Sequence, residues 1–286
     1  MVLTLSPSAY ALDGDATVAK TVKQGEAFTV MVPASSLTEG AGPDQLVARF
    51  GGRDWPAFRT PGGAGILMGV DLDGALGAQD FVVERRGAAG SSSVVTRGVV
   101  IVESGQFGVQ KLSLPDKQVD LDAQTLRRVE SEQTAILSAM QPVTPRLWDG
   151  TFVVPAEGKV QRSFGRRRII NGEPRSPHTG EDISAPRGSA VISINQGTVC
   201  LVADQFFSGK SVVVDHGLGL YSMYFHLSEV SVRVGDHVAT GQVIGAVGST
   251  GRASGPHLHW GVRLNGTRID PLSLNGALQS VMTAAH

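Results

Sequence analysis

The sequence holds one cysteine in 286 residues. Cys200 therefore has no internal disulfide partner, and the redox compartment cannot be read from it. Within Val199-Cys200-Leu201-Val202 it reads as a small buried apolar side chain. Charge of one sign is also missing: the formal net charge is −1, which removes the electrostatic case for nucleic acid as a partner. A small basic excess after Thr151 reads as a solvated face. No apolar run is long enough to cross a membrane. Aromatics make up only 6% of the chain, so any core is built largely from aliphatic side chains. No histidine precedes His178, so the first half lacks the commonest acid–base and metal-ligand residue. Ser8-Ala9-Tyr10-Ala11 resembles the small-residue end of a secretory signal, with Leu12-Asp13 starting the mature chain. No Lys or Arg precedes it and the apolar stretch is short. A trimmed signal is the expectation.

What is present is glycine, 36 residues of it, and short β-branched segments. Together they indicate many strands and tight turns. The length favours two domains. Glu26–Val32, Leu46–Phe50, Ile66–Val70, Phe81–Arg85 and Val99–Val102 read as strands separated by Gly, Pro and Asp clusters. That spacing suggests an antiparallel, immunoglobulin-like β-sandwich over residues 1–115. Residues 116–150 form a linker with a helix over 122–140. Asp122 is its N-cap, Leu126, Val129, Ile136, Leu137 and Met140 recur at helical spacing, and Pro142 stops it. Residues 151–286 return to β. Ala190–Ile194, Thr198–Val202, Lys210–Val214, Leu220–His226, Val243–Val247 and Leu258–Arg263 read as strands, and Asn265-Gly266 signals a hairpin. The whole is mostly β, with an antiparallel sheet in the second half.

Six of the seven histidines lie between His178 and His259. In Pro256-His257-Leu258-His259-Trp260, strand alternation projects His257 and His259 to one face and Leu258 and Trp260 to the core. One imidazole can bind a metal while the other reaches its water. In His178-Thr179-Gly180-Glu181-Asp182 the first and last residues would be too far apart in a straight strand, about 13 Å. A bend at Gly180 is therefore expected. His178, Asp182 and His259 then give three N and O ligands with a fourth position for water, the pattern of catalytic zinc. In Tyr224-Phe225-His226-Leu227, alternation puts Tyr224 and His226 on one face and Met223, Phe225 and Leu227 on the other. His226 is a candidate acid–base or oxyanion group. Glu181 should point away from Asp182 and is read as structural. His216 and His237 are read as turn or surface residues. Tyr224 and Arg252 are candidates for the substrate groove.

These residues resemble the lysostaphin-type, LytM-domain zinc endopeptidases of family M23. The likeness rests on His178-x-x-x-Asp182, the His226 strand and His257-Leu258-His259. It also rests on Ser163-Phe164-Gly165, Val213-Val214-Asp215-His216-Gly217, Val234-Gly235-Asp236 and Gly248-Ser249-Thr250-Gly251. It covers Thr151 to Leu274. The first domain and helix resemble the N-terminal extension of some Gram-negative members. The resemblance implies an antiparallel sheet with a narrow groove and one Zn2+ held by His178, Asp182 and His259. It implies His226 and His257 as the catalytic pair. It implies hydrolysis of peptide bonds in peptidoglycan, glycine bridges in some members and D-alanyl–diaminopimelate links in Gram-negative ones, with the extension favouring the latter. A periplasmic or secreted location follows. The stretch Arg166–Pro177 is longer than in some members and would shape or cover the groove.

Two other classes compete. One is a binding or regulatory module that holds wall peptides without cutting, against which the filled donor set argues. The other is a phosphocarrier with paired histidines, which has no need of His178 and Asp182 as metal ligands.

Overall fold

In a computed structural model, residues 16–37, 42–87, 90–113, 119 and 121–282 are described. The signal-like stretch at 8–13, the boundary at Pro115 and His286 lie outside them. Strands β1 (Ala16–Lys23), β2 (Ala27–Pro33), β3 (Leu46–Phe50), β4 (Arg53–Thr60), β5 (Gly63–Gly69), β6 (Gly77–Arg86) and β7 (Ser92–Glu103) form one sheet ordered β1-β7-β6-β3-β4-β5-β2. Strand β4 changes partners along its length. Its first half, Arg53 to Pro56, pairs with β3, and its second half, Ala57 to Thr60, pairs with β5. The sheet thereby folds over on itself. Phe28 of β2 meets Phe50 of β3 edge-on, with ring centroids 5.4 Å apart, although the two strands are not neighbours in the sheet. This is a sandwich closed on an apolar interior, as the short alternating strands require. It is not wholly antiparallel: β1 runs parallel to β7.

The next strand, β8 (Val109–Leu112), leaves this sheet. It pairs in parallel with β10 (Arg167–Ile170), which also pairs antiparallel with β11 (Glu173–Arg175). A strand on the N-terminal side of the expected boundary at 115 therefore completes a three-stranded sheet with residues 167–175. Between them lies helix α1 (Ala123–Ala139), whose N-cap Asp122 accepts the Thr125 N–H. Leu126 and Leu137, expected on its packed stripe, are exposed. The stripe that packs runs through Ile136 and Met140. Ile136 and Met140 rest on Val213, Tyr221 and Met223. Glu132 adds a polar anchor by accepting the Phe206 N–H.

The second large sheet contains β9 (Lys159–Val160), β12 (Gly180–Ser184), β14 (Gly197–Gln205), β15 (Gly209–Gly217), β16 (Leu220–Leu227), β18 (His237–Val238) and β20 (Leu258–Leu264). Its order is β18-β14-β15-β16-β20-β12-β9, and β21 (Thr267–Ile269) pairs with β20. Neighbours here are antiparallel. A small sheet of β13 (Ala190–Ile192), β17 (Glu229–Val230) and β19 (Val243–Ala246) packs on it. Val191, Ile194, Ile244 and Val247 join Tyr224, Leu258 and Trp260 in the core between them. The chain ends in α2 (Leu274–Met282).

The two halves share an interior. Ile269 of β21 approaches Gly69 of β5 so closely that a Cβ there would sit 2.4 Å from its Cδ1. Asp270 donates its N–H to Gly25 O, and Ser273 Oγ accepts the Ala27 N–H. Arg268 pairs with Asp71 and Asp73, and Arg167 pairs with Asp73 at 2.9 Å. Trp148 stacks edge-on against Phe58 at 5.0 Å.

Candidate metal centre

Three elements bring the side chains together. His178 lies two residues before β12, Asp182 lies within it, and His259 lies opposite Asp182 on β20 in cross-strand register. Gly180 is not a left-handed turn residue, so the expected bend there is not its function. Its need is space: a Cβ would lie 2.5 Å from Trp260 O and 2.8 Å from His259 Nε2. The missing side chain lets the His259 ring lie against β12.

His178 Nε2, Asp182 Oδ1 and His259 Nδ1 all fall within 4.8 Å of one another. His178 Nε2 is 2.8 Å from His259 Nδ1, and Asp182 Oδ1 is 3.1 Å from each. Among the described residues this is the group of three such side chains that could hold an ion. The chemistry of the donor set fits zinc. A tetrahedral ion with bonds of about 2.0–2.1 Å spaces its ligand atoms by roughly 3.3 Å, close to the observed triangle. His178 Nδ1 donates to Ser163 O at 3.1 Å, which leaves Nε2 with a lone pair directed at the cluster.

Two more imidazoles stand beside this triangle. His257 Nε2 lies 3.8 Å from Asp182 Oδ1, and the His226 and His257 ring centroids are 4.7 Å apart. Both rings carry their proton on Nδ1, His226 donating to Thr250 O at 2.9 Å and His257 to Gly255 O at 2.8 Å. In each the Nε2 is left as the acceptor. Burial, followed by the neighbouring His259 and His257, holds the His226 pKa down to about 3. Burial does the same for His259, to about 4, against the opposing hydrogen bond to Asp182. Burial alone would raise the Asp182 carboxyl. The hydrogen bonds to His178 and His259 outweigh it and hold the group well below the usual range.

His226 reaches this side by a route that simple alternation does not give. Its φ is +64°, and the pairing of β15 with β16 shifts register between Lys210 and Val212. This β-bulge reverses the alternation at one residue. Tyr224 therefore does not share the face of His226. It is fully buried in the core, where its hydroxyl accepts the Ile194 N–H at 2.9 Å and lies 2.8 Å from Ser222 Oγ. Burial raises its pKa to about 12. Phe225, expected on the opposite face from His226, stacks on His259 at 5.5 Å with ring planes 8° apart.

His216, read as a turn or surface residue, and Glu181, read as structural, are both structural keystones. His216 is buried, not at the surface. It donates through Nδ1 to Gln196 O at 2.8 Å, and its Nε2 is 2.7 Å from Ser222 Oγ. Burial lowers its pKa to about 4. Glu181 is buried and accepts the N–H groups of Ser163 and Phe164 at 2.9 and 3.0 Å. Ser163 in turn accepts from His178 at its carbonyl and from the Asp182 N–H at its Oγ. Glu181 thus orders the loop that orients two residues of the triangle. Its position beside Asp182 was the only sequence signal. Arg252 is half-buried, its guanidinium 4.0 Å over the Phe207 ring. His237 is exposed and bonds Thr198.

A two-sheet β framework with a His–Asp–His donor set and two flanking imidazoles is an arrangement suited to a metallopeptidase. The model of peptidase family M23 matches residues 176–271. A Pseudomonas aeruginosa protein of known crystal structure, assigned to peptidase M23, is 30% identical, with a TM-score of 0.68 over 89% of this chain and 95% of that one. The chain belongs to peptidase family M23. Among curated proteins, the peptidoglycan DD-endopeptidase ShyA of Vibrio cholerae is 33% identical over 125 residues, 43% of this chain. The DD-carboxypeptidase/endopeptidase Mpg of Neisseria meningitidis is 41% identical over 97 residues, 34% of this chain. The matched stretches span only 29% and 22% of those two relatives. No helix among the described residues is long and apolar enough to cross a membrane.

Proposed function

We propose that this protein is a zinc-dependent endopeptidase that hydrolyses peptide bonds in the cross-links or stem peptides of peptidoglycan, outside the cytoplasm, in the periplasm or secreted. The observation that carries the reading is the convergence of His178 Nε2, Asp182 Oδ1 and His259 Nδ1 within 4.8 Å. In this reading these three hold one Zn2+ and His226 and His257 form the catalytic pair. The DD-endopeptidase names of two relatives support a cross-link ending in D-alanine as the bond cut.

Zinc bound there supplies a Lewis acid that polarises a carbonyl and makes water acidic enough to be deprotonated near neutral pH. The protein's own groups do the rest. His178 is fixed in one tautomer by Ser163 O, and Glu181 fixes Ser163. The Nδ1 protons of His226 and His257 are committed to backbone carbonyls, so each ring offers Nε2 towards the reacting groups. His226 is neutral at pH 7, with its pKa held to about 3 by burial. A neutral imidazole there orients water and accepts its proton. Phe225 excludes solvent from one face of His259.

Purified cell wall incubated with the protein, with and without a chelator, tests the reading by mass spectrometry of the released muropeptides. Cleavage products that vanish on chelation and return with zinc are expected. Zinc bound at one equivalent without any cleavage would replace the enzyme by a wall-peptide binding module.

A further inference from the structure

The hairpin β10–β11 lies in the stretch Arg166–Pro177, and it carries arginines on two faces. Arg167 points away from the cluster and is ion-paired with Asp73 at 2.9 Å. Arg168, one residue on, projects from the opposite face. It sits directly across from Arg175 in the antiparallel register. Like charges placed opposite one another weaken a hairpin. Among the described residues no carboxylate lies within ion-pair distance of Arg168 or Arg175. The Arg168 Nε is buried and lacks a hydrogen-bond partner.

The hairpin is tied to the histidine cluster through its backbone: Arg166 O, two residues before Arg168, accepts the His178 N–H at 3.0 Å, and Thr250 O, two residues before Arg252, accepts from His226 Nδ1 at 2.9 Å. Arg168 acts electrostatically on both Asp182 and His259, and Arg252 feels both Arg168 and Arg175. Arg252 is itself held in place by Phe207, whose ring lies 4.0 Å beneath the guanidinium and whose carbonyl accepts the Arg252 N–H. Segments carrying three guanidinium groups that act on one another thus flank the His178–Asp182–His259 triangle. Two of them are set on a sheet braced by β8, where Arg168 pairs with Gln110. Guanidinium groups bind carboxylates through paired, charge-assisted hydrogen bonds. An anion seated among the three would remove their mutual repulsion and give the buried Arg168 Nε an acceptor.

We propose that Arg168, Arg175 and Arg252 form a carboxylate-binding subsite beside the metal centre, which makes an anionic peptide the preferred substrate. The inference rests on the endopeptidase reading for the identity of the ligand as substrate. A neutral, all-glycine bridge would leave the subsite empty, so it also selects between substrate classes.

The test uses the full chain and two probes: a synthetic D-alanyl-linked cross-link peptide with free carboxylates, and the same peptide with those carboxylates amidated. Binding is measured by calorimetry at low and high ionic strength, and kcat/KM by product analysis. The wild type is expected to prefer the carboxylate form about tenfold in both, with the preference falling as salt rises. Arg168→Gln and Arg175→Gln should collapse that ratio to within about twofold. Arg168→Lys should restore part of it, and Arg167→Gln should leave the ratio intact. A merely structural role would lower both peptides equally and keep the ratio, which overturns the proposal, as does a wild type with no preference. If the wild type binds with the expected preference and cuts neither peptide, the endopeptidase reading fails while the subsite stands. If it cuts both peptides at equal rates, the reverse holds.

Discussion

The two halves of the molecule are both β, yet they bury different things. Before residue 151, Thr29 is the single buried polar residue among those described. After it, Ser163, His178, Glu181, Ser193, Asn195, Gln205, Ser211, Asp215, His216, Ser222, His226, His259 and Thr267 are all buried. An unpaired buried polar group costs about 1–3 kcal/mol, so a region that carries many must pair them. It does: Glu181 with two backbone N–H groups, His216 with Gln196 and Ser222, His226 with Thr250. The first half is held by Phe28, Phe50, Trp55 and Ile66. Apolar packing alone makes a support. Satisfied polar networks fix the tautomers and ring planes that chemistry requires.

The sharpest break of this comparison comes from the donor triangle. His259→Ala should lose zinc and at least about a thousandfold in activity, read as metal content beside muropeptide release. His257→Ala should keep its zinc and lose about 10²–10⁴-fold in kcat. A metal-free His257→Ala protein would show that the division between ligand and catalyst is misplaced. Phe28→Ala, in the other half, should cost about 3–5 kcal/mol of stability. It should leave kcat per folded molecule unchanged, as urea titration and a low-temperature assay would show. Gly180→Ala forces a Cβ against Trp260 O and His259 Nε2, and should weaken zinc affinity about 10–100-fold, measured by competition with a chromophoric chelator.

The smallest effect is on pH. His216, His226 and His259 have folded pKa values of about 4, 3 and 4, lowered by burial from 6.5. The three rings take up protons below about pH 6.5 in the unfolded chain but not until near 4 in the folded one, and Asp270, raised by burial to about 6, offsets only part of this. Stability of the chelator-treated protein should therefore fall as pH drops through that window, followed as Tm. The first half carries no histidine before His178 and adds no histidine term to this slope. A flat Tm between pH 6.5 and 4 would contradict it.

Much of the second half was legible in sequence because its signals are local. His259 lies on β20 and His257 two residues before it, bridged to Gly248 at the strand's start, with Leu258 and Trp260 on the core face. Asp122 caps the helix that its position predicted. Four features escaped. The bulge at His226 is a left-handed backbone at one non-glycine residue, which alternation cannot foresee and which separated it from Tyr224. The burial of His216 depends on a partner at Gln196, distant in sequence. The exposure of Leu126 and Leu137 follows from which stripe of the helix met Tyr221 and Met223, a choice made by tertiary packing. Parallel pairings such as β8 with β10 leave no mark in a strand's own pattern.

That last pairing limits how the protein can be shortened. A fragment begun at Thr151, where the peptidase-like motifs start, would expose the β10 edge that Val109 to Leu112 now occupies. It would also remove Phe107, whose ring packs edge-on to Phe164 at 5.9 Å. Unpaired edges invite self-association. Anyone seeking a minimal module around the donor triangle should start it upstream of Phe107, or replace the lost strand with a designed one.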